Sequence, residues 1–307
     1  MPDAVLVTGG SGFIGTWVVR ELLHRQMKVV VLDSQLAPER WKRVLGDRGA
    51  EVMCTKTALT DRDGIQQLIE QNGIRHVIHL AALLTPACQQ DPFLGCQVNV
   101  LGSTAVFDAA RRSGKVKAIA FASSFAVYGA DPSEKSLSQP PMFYGAFKQS
   151  VDLIAEQYWL HFGLPSVAVR PHVAYGPERD QGLTAGPSLA CRAAIRGESY
   201  VIGYTGSAGY DYVEDVARAF VRSVFECPKG ATIVDLPGAQ ATTEDFVRLI
   251  ESVVPEIAGR ITVGGPPIPT NIPPICRDIR QVLTDWQPTP LADGVRKTIE
   301  FYQPGGR

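Results

Sequence analysis

Ala4-Val-Leu-Val-Thr-Gly-Gly-Ser-Gly-Phe-Ile-Gly15 is the stretch on which the fold turns. Its first four residues are an unbroken apolar run of the kind that makes a strand buried on both faces. Phe13, Ile14, Trp17, Val18 and Leu22 follow at helical spacing, so the glycines lie between a strand and a helix start. That context turns a glycine pattern into an anion site. Gly9 and Gly12 let backbone approach a pyrophosphate, Gly15 lets the helix pack closely on the sheet, and the free N–H groups of the first helical turn, Phe13 and Ile14 among them, face the charge. Without a ligand the same glycines make only a tight turn.

The next strand sharpens the reading. Lys28-Val-Val-Val-Leu-Asp33 is apolar and ends on an acid about twenty residues beyond the loop, where a carboxylate accepts hydrogen bonds from both adenosine ribose hydroxyls. A 2′-phosphate would meet that charge, so NAD is expected over NADP, with Arg40, Lys42 and Arg43 as the opposing signal. Alternation of strand and helix then continues. Glu51–Cys54 is a short strand, Ile65, Leu68 and Ile69 form a helical stripe, and His76-Val-Ile-His-Leu-Ala-Ala82 is a strand running into small residues that suit a cofactor passing close to the backbone. Pro92 to Arg112 reads as one helix with Asn99 inside it. Val116 to Ser123 is the next strand, delivering Ser123 and Ser124 at the carboxyl edge of a parallel sheet, where ligands of such folds bind.

Tyr144-Gly-Ala-Phe-Lys148 carries the chemistry. It opens a helix read from Tyr144 to Phe162, with Pro132 to Pro141 as the preceding connection, and its Tyr and Lys stand one turn apart on one face. A phenol is a poor base, with a pKa of about 10, and a neighbouring ammonium favours its phenolate. The same pair occurs on helices with no catalytic role, so the surrounding motifs decide.

The 307 residues are 45% hydrophobic with 30 basic and 31 acidic side chains, which exclude a general polyanion binder for lack of net positive charge. No apolar stretch is long enough to span a bilayer and no leader is visible, so a cytoplasmic protein is expected. Six scattered cysteines without a C-x-x-C pair read as free thiols, with no metal site.

Taken together, Thr8 to Gly15, Asp33, His79-Leu-Ala-Ala82, Asn99, Ser123-Ser-Phe-Ala-Val-Tyr-Gly129, Tyr144-x-x-x-Lys148, Arg170-Pro-x-x-x-Tyr-Gly-Pro177 and Asp211-Tyr-Val-Glu-Asp-Val-Ala217 resemble the extended short-chain dehydrogenase/reductases, the NAD-dependent epimerase/dehydratase family. The likeness covers about three quarters of the chain in order. It implies an α/β fold: a doubly wound parallel-sheet Rossmann domain (1–172 and 211–237) with a smaller C-terminal α/β substrate domain (173–210 and 238–307). It further implies Ser124 holding the substrate oxygen, Tyr144 as acid/base, and Lys148 binding the nicotinamide ribose and tuning Tyr144. Gly9, Gly12, Phe13, Ile14, Gly15, Asp33, Leu59, Leu80, Ala81, Ala82 and Asn99 line the NAD site, joined by Tyr144 and Lys148. A homodimer across the helices of 92–112 and 144–162 follows from the same likeness.

Five positions depart from the family pattern. Ala58 stands where an Asp often meets adenine, and Val173 and Tyr210 replace an Asn and an Arg that hold a sugar nucleotide. Phe125 and Ala126 replace the acid pair of dehydratases, which disfavours dehydration. The missing nucleotide-holding groups point to an oxidoreductase that takes hydride from a secondary alcohol of a sugar or sugar acid. The alternative is a nucleotide-sugar epimerase, like the UDP-glucose 4-epimerases, with tightly held NAD; a non-catalytic NAD-binding module is the third reading. Beyond Pro171, Arg179, Arg192 and Arg196 are candidates to meet a carboxylate or phosphate, or are solvated charges, and His172 is a packing or gating residue.

Overall fold

A computed structural model describes residues 3–128, 140–236, 238–268, 277–303 and 305. Gly129, most of the 132–141 connection, 269–274 of the Gly/Pro-rich stretch and Cys276 lie outside the described residues.

Seven short apolar segments, several buried along their whole length, pair side by side and in parallel: β1 (Ala4–Thr8), β2 (Lys28–Leu32), β3 (Met53–Thr55), β4 (Ile74–His79), β5 (Ala118–Ala122), β6 (Ser166–Pro171) and, numbered by its place in the chain, β10 (Ala231–Leu236). Their order across the sheet is β10-β6-β5-β4-β1-β2-β3. Leu6 of β1 lies opposite Val30 on one side and Val77 on the other. The order therefore reverses between β1 and β4, and in an open parallel sheet that switch point opens the ligand crevice at the strands' carboxyl ends.

Helices cover both faces. On one side α1 (Phe13–His24) and α9 (Val213–Phe225) bury Trp17, Val18, Leu22, Val216 and Phe220. On the other, α3 (Arg62–Asn72), α6 (Ser103–Ser113) and α7 (Phe143–Phe162) bury Ile65, Ile69, Val106, Phe107, Val151 and Ala155. Helices α2 (Pro38–Leu45), α4 (Thr85–Gln90) and α5 (Pro92–Cys96) lie in the connections.

The 92–112 segment, read as one helix, is broken. Between α5 and α6 a π-helical turn runs over Gln97–Gly102. A Cβ on Gly102 would come 2.7 Å from Leu59 Cδ2, and Ser103 Oγ donates to Asn99 O at 2.6 Å. Packing by Leu59 thus accompanies the wider turn, in which Asn99 is buried. Such turns frequently mark functional sites.

A second lobe rises from the carboxyl edge. It contains a three-stranded sheet of β7 (Val173–Tyr175), β9 (Ser207–Tyr212) and β11 (Ala239–Thr242), and a pair of β8 (Tyr200–Ile202) with β12 (Ile261–Val263). Helices α8 (Gly186–Ile195), α10 (Thr243–Val253) and α11 (Leu291–Phe301) accompany them. Tyr175 packs edge-on against Phe246 at 5.1 Å between centroids, and Tyr210 lies 4.9 Å from the same ring. Thr242 and Asp245 close a reciprocal capping box at the start of α10.

Candidate active site

The glycine loop sits where β1 meets the switch point. Gly9 has φ +71°, in the left-handed region, and a Cβ there would fall 2.7 Å from Ala81 N. A Cβ on Gly15 would collide with Gly9 O, so glycine at this place lets α1 begin directly against the loop. Gly12 N donates to Gly9 O at 3.0 Å, and Phe13 and Ile14 open the helix with their N–H groups at its free end. Ser11 Oγ is buried without a hydrogen-bond partner among the described residues. A buried orphan hydroxyl beside a helix start suits a phosphate ligand.

Asp33 follows the last residue of β2, its carboxylate accepting from Ser11 N at 2.9 Å and from Gln35 N at 3.1 Å. Two of the three cations that argued for NADP have protein partners. Arg40 donates to Ser11 O and to Asp180, each at 2.8 Å, and Arg43 makes a two-point bond to Glu178 at 2.9 and 2.6 Å. Leu59 packs on the π turn.

Leu80, Ala81 and Ala82 form the loop after β4, and a buried relay fixes them. Ser103 gives its single hydroxyl proton to Asn99 O, so it accepts from His79 Nε2 at 2.9 Å. His79 Nδ1 is then the acceptor for the Thr8 hydroxyl at 2.6 Å, and Thr8 Oγ1 accepts from Ala81 N at 3.3 Å. Burial, aided by the Lys148 charge, drives His79 down to about 3, which keeps it neutral. Asn99 clamps the same loop: Leu83 N donates to its Oδ1 at 2.7 Å and its Nδ2 donates to Leu83 O at 2.9 Å. The amide that the sequence suggested as a cofactor ligand is thus tied, on both its polar ends, to the loop that borders the crevice.

Ser124, Tyr144 and Lys148 converge at the carboxyl edge. Ser124 caps a short 3-10 turn, its Oγ accepting from Ala126 N at 3.1 Å. A Cβ on Gly145 would strike Ala126 O, so the glycine after Tyr144 lets α7 press onto that turn. The contact brings Tyr144 beside Ser124, whose hydroxyl favours the ionised phenol. Burial pushes the Tyr144 phenol up to about 12, against the pull of Ser124 and of Arg179. The depression expected from Lys148 is therefore not the dominant effect. Lys148 is buried, its Nζ stands 5.6 Å from the Tyr144 ring centroid, and it donates to Ala122 O at 2.6 Å. Burial brings Lys148 down to about 8.

Sequence reading missed the floor beneath these residues. Arg170, 2% exposed, donates to Asp152 at 2.6 Å, to Ser123 Oγ at 3.3 Å and to Tyr128 OH at 3.1 Å. Tyr128 OH in turn donates to Asp235 at 2.7 Å. Asp152 stands one turn after Lys148, a spacing that was available as a signal. His172 stacks on Phe125 at 4.8 Å between rings and accepts from Gly209 N at 3.0 Å, in keeping with a packing role. Arg179 is drawn into the cleft, Arg192 is half-buried and Arg196 is exposed.

Against known proteins, the description "NAD dependent epimerase/dehydratase family" fits residues 5–233. The chain belongs to this family. A UDP-glucose 4-epimerase of Mycolicibacterium smegmatis is 29% identical over 316 residues, covering 97% of this chain and 98% of that protein. A D-erythronate dehydrogenase of Haemophilus influenzae is 26% identical over 178 residues, 54% of this chain and 56% of that protein. Among solved structures, Thermus thermophilus UDP-glucose 4-epimerase in complex with NAD aligns with a TM-score of 0.81 at 26% identity, covering 97% of this chain and 98% of that one. A UDP-N-acetylglucosamine 4-epimerase of Methanobrevibacter ruminantium, in complex with UDP-N-acetylmuramic acid, reaches 0.83 at 26% identity, covering 98% and 99%.

As an epimerase/dehydratase family member the chain is an NAD-dependent enzyme with the doubly wound fold, and its glycine loop, orphan Ser11 hydroxyl and Asp33 fit that cofactor. Family membership leaves Val173 and Tyr210 as departures. Both are buried: Val173 in β7, and Tyr210 in the lobe core with its hydroxyl 3.3 Å from Thr243 Oγ1. Among the described residues no group of His, Cys, Asp or Glu is arranged to hold a metal, and no helix is long and apolar enough to cross a membrane. The five described cysteines are free thiols.

Proposed function

We propose that the protein is a nucleotide-sugar 4-epimerase that keeps its NAD. The observation that carries this is end-to-end likeness, 97–98% of this chain, to two 4-epimerases, substrate lobe included. It reverses the preference drawn from Val173 and Tyr210 alone, because an entire lobe outweighs two side chains.

Held by the glycine loop and Asp33, bound NAD would supply a reversible hydride acceptor for a sugar carbon. The chain's own residues do the rest. Ser124 and Tyr144 receive the sugar hydroxyl, Ser124 holding its oxygen while Tyr144, once ionised against the burial that raises its pKa, takes the proton as phenolate and gives it back. Lys148 supplies a positive charge below pH about 8 and a donor toward the ribose. Gly9, Gly12 and Gly15 admit the pyrophosphate, Asp33 takes the ribose, and Asn99 holds the 80–83 loop against it. In this division residues 1–172 and 211–237 bind NAD, and 173–210 with 238–307 bind the sugar. Exposed Phe93 and Leu101 near α5, with Leu153 and Leu160 on α7, favour a homodimer through these helices. Sedimentation equilibrium giving one chain's mass at every concentration would overturn the dimer.

A dehydrogenase of an unlinked sugar or sugar acid is the second reading, favoured by buried Val173 and Tyr210 and by the partial likeness to D-erythronate dehydrogenase. Supplying UDP-glucose, UDP-N-acetylglucosamine, free sugars and aldonates with NAD separates the two. Interconversion of a UDP-sugar without net NADH is expected. Stoichiometric NADH from an unlinked substrate, with no UDP-sugar conversion, would replace the first reading by the second.

A further inference from the structure

Among the described residues Arg179 is a cation without a counter-ion. The acids on either side of it in the chain are taken by other arginines, Glu178 by Arg43 at 2.6 Å and Asp180 by Arg40 at 2.8 Å. Its own guanidinium donates to two neutral acceptors, Ala174 O and, at 2.8 Å, Thr184 Oγ1, and it has no carboxylate in ion-pair range among the described residues. Burial brings it down to about 10. The guanidinium is half-buried, and a cation partly withdrawn from water and held only by neutral groups gains from an anion that joins it.

The turn that carries Arg179 is fastened to the dinucleotide half through Trp17 and to the end of the second lobe through Tyr302. Trp17 Nε1 donates to Pro177 O at 3.1 Å, Glu178 N donates to Tyr302 OH at 2.7 Å, and Glu178 is a non-glycine residue at φ +71°. These ties set the guanidinium 5.9 Å from the ring centroid of Phe13, the first residue of α1 after the glycine loop. A Cβ on Gly182 would lie 3.6 Å from Arg179 Nη2 and 3.4 Å from Leu84 Cδ1, so the guanidinium also borders the loop that follows β4. Tyr144 lies within its electrostatic reach.

We propose that Arg179 is the diphosphate-binding residue of this cleft, its planar guanidinium placed between the start of α1 and the loop that follows β4 to take a diphosphate oxyanion borne by the dinucleotide or by a nucleotide-linked sugar. The second source rests on the epimerase reading and the first does not. A forked, charge-assisted contact suits the planar donor. It also supplies a cation where Tyr210 and Val173 have left the lobe without the family's Arg and Asn.

The test is calorimetric. NAD is titrated into the whole protein, and UDP into the NAD-loaded protein, for the unmodified chain, Arg179→Gln and Arg179→Lys. Arg179→Gln is expected to weaken one of the two ligands about ten- to a hundredfold and to flatten its salt dependence, with Arg179→Lys in between. Loss on NAD assigns the dinucleotide, and loss on UDP alone assigns the sugar nucleotide. Unchanged affinity for both overturns the proposal. Should Arg179→Gln not fold, phenylglyoxal labelling of the unmodified protein read by mass spectrometry decides: NAD or UDP should shield Arg179, and labelling indifferent to both overturns it. A protein that binds no UDP at all sinks the nucleotide-sugar reading while leaving the NAD arm intact.

Discussion

The floor of the cleft and its rim hold their charges in opposite ways. On the floor, Arg170 is surrounded by Asp152, Ser123, Tyr128 and Asp235, a closed set of partners within the fold. On the rim, Arg179 meets neutral oxygens, and Ser124 and Tyr144 stand side by side at a crevice. A buried charge whose partners are internal defines the shape of the site, and one whose partners are missing is available to a ligand. Substitutions on the floor should therefore register as stability, and those on the rim as chemistry or binding.

The largest effect should come from the rim. Tyr144→Phe keeps the ring packing and removes the transferable proton, and turnover should fall about 10²–10⁴-fold with NAD affinity retained. Steady-state kinetics beside NAD titration measure this, and near-normal turnover would break the comparison at its centre.

On the floor, Arg170→Met leaves Asp152 and Asp235 buried without their cation. The loss of unfolding free energy should be about 3–5 kcal/mol in urea denaturation. A variant as stable as the parent would show that the floor is not held by this pair. The double variant Arg170→Met with Asp152→Leu sharpens the point, since removing both charges should recover part of the loss.

The smallest expected effect concerns His79, which lies between floor and rim. Its folded pKa of about 3 is below the 6.5 of an unfolded chain, so between these values the unfolded state binds the extra proton. Its contribution is whole above pH 6.5 and is lost as pH falls toward 3, by up to a few kcal/mol. His172, brought down to about 4 by burial, adds to the same slope. Unfolding free energies measured from pH 7 to 4 should decline more shallowly in His79→Gln, and an equal slope in both proteins would remove the neutral relay.

Much of the dinucleotide half was legible because its signals are local. Glycines between an apolar strand and a helix, an acid at the end of the next strand, and Tyr and Lys one turn apart each depend on residues within a few positions of one another. The strands of the second lobe were not legible. Val173–Tyr175, Tyr200–Ile202 and Ile261–Val263 are three residues each, too short for a period to form, and exist by pairing with distant segments.

The sequence by itself determined the parallel sheet, the glycine loop with Asp33, and the proximity of Tyr144 and Lys148, since backbone geometry and hydrophobic alternation fix these at short range. Tertiary structure alone decided three other things. It broke the 92–112 helix at a π turn, where Leu59 packs on Gly102. It placed the Tyr144 phenol above rather than below its ordinary value, because burial outweighs a lysine whose ammonium is turned to Ala122 O. It also separated two arginines nine positions apart into a paired floor and an unpaired rim, for a charge's energy is set by the dielectric and partners that folding brings around it, which no local pattern encodes.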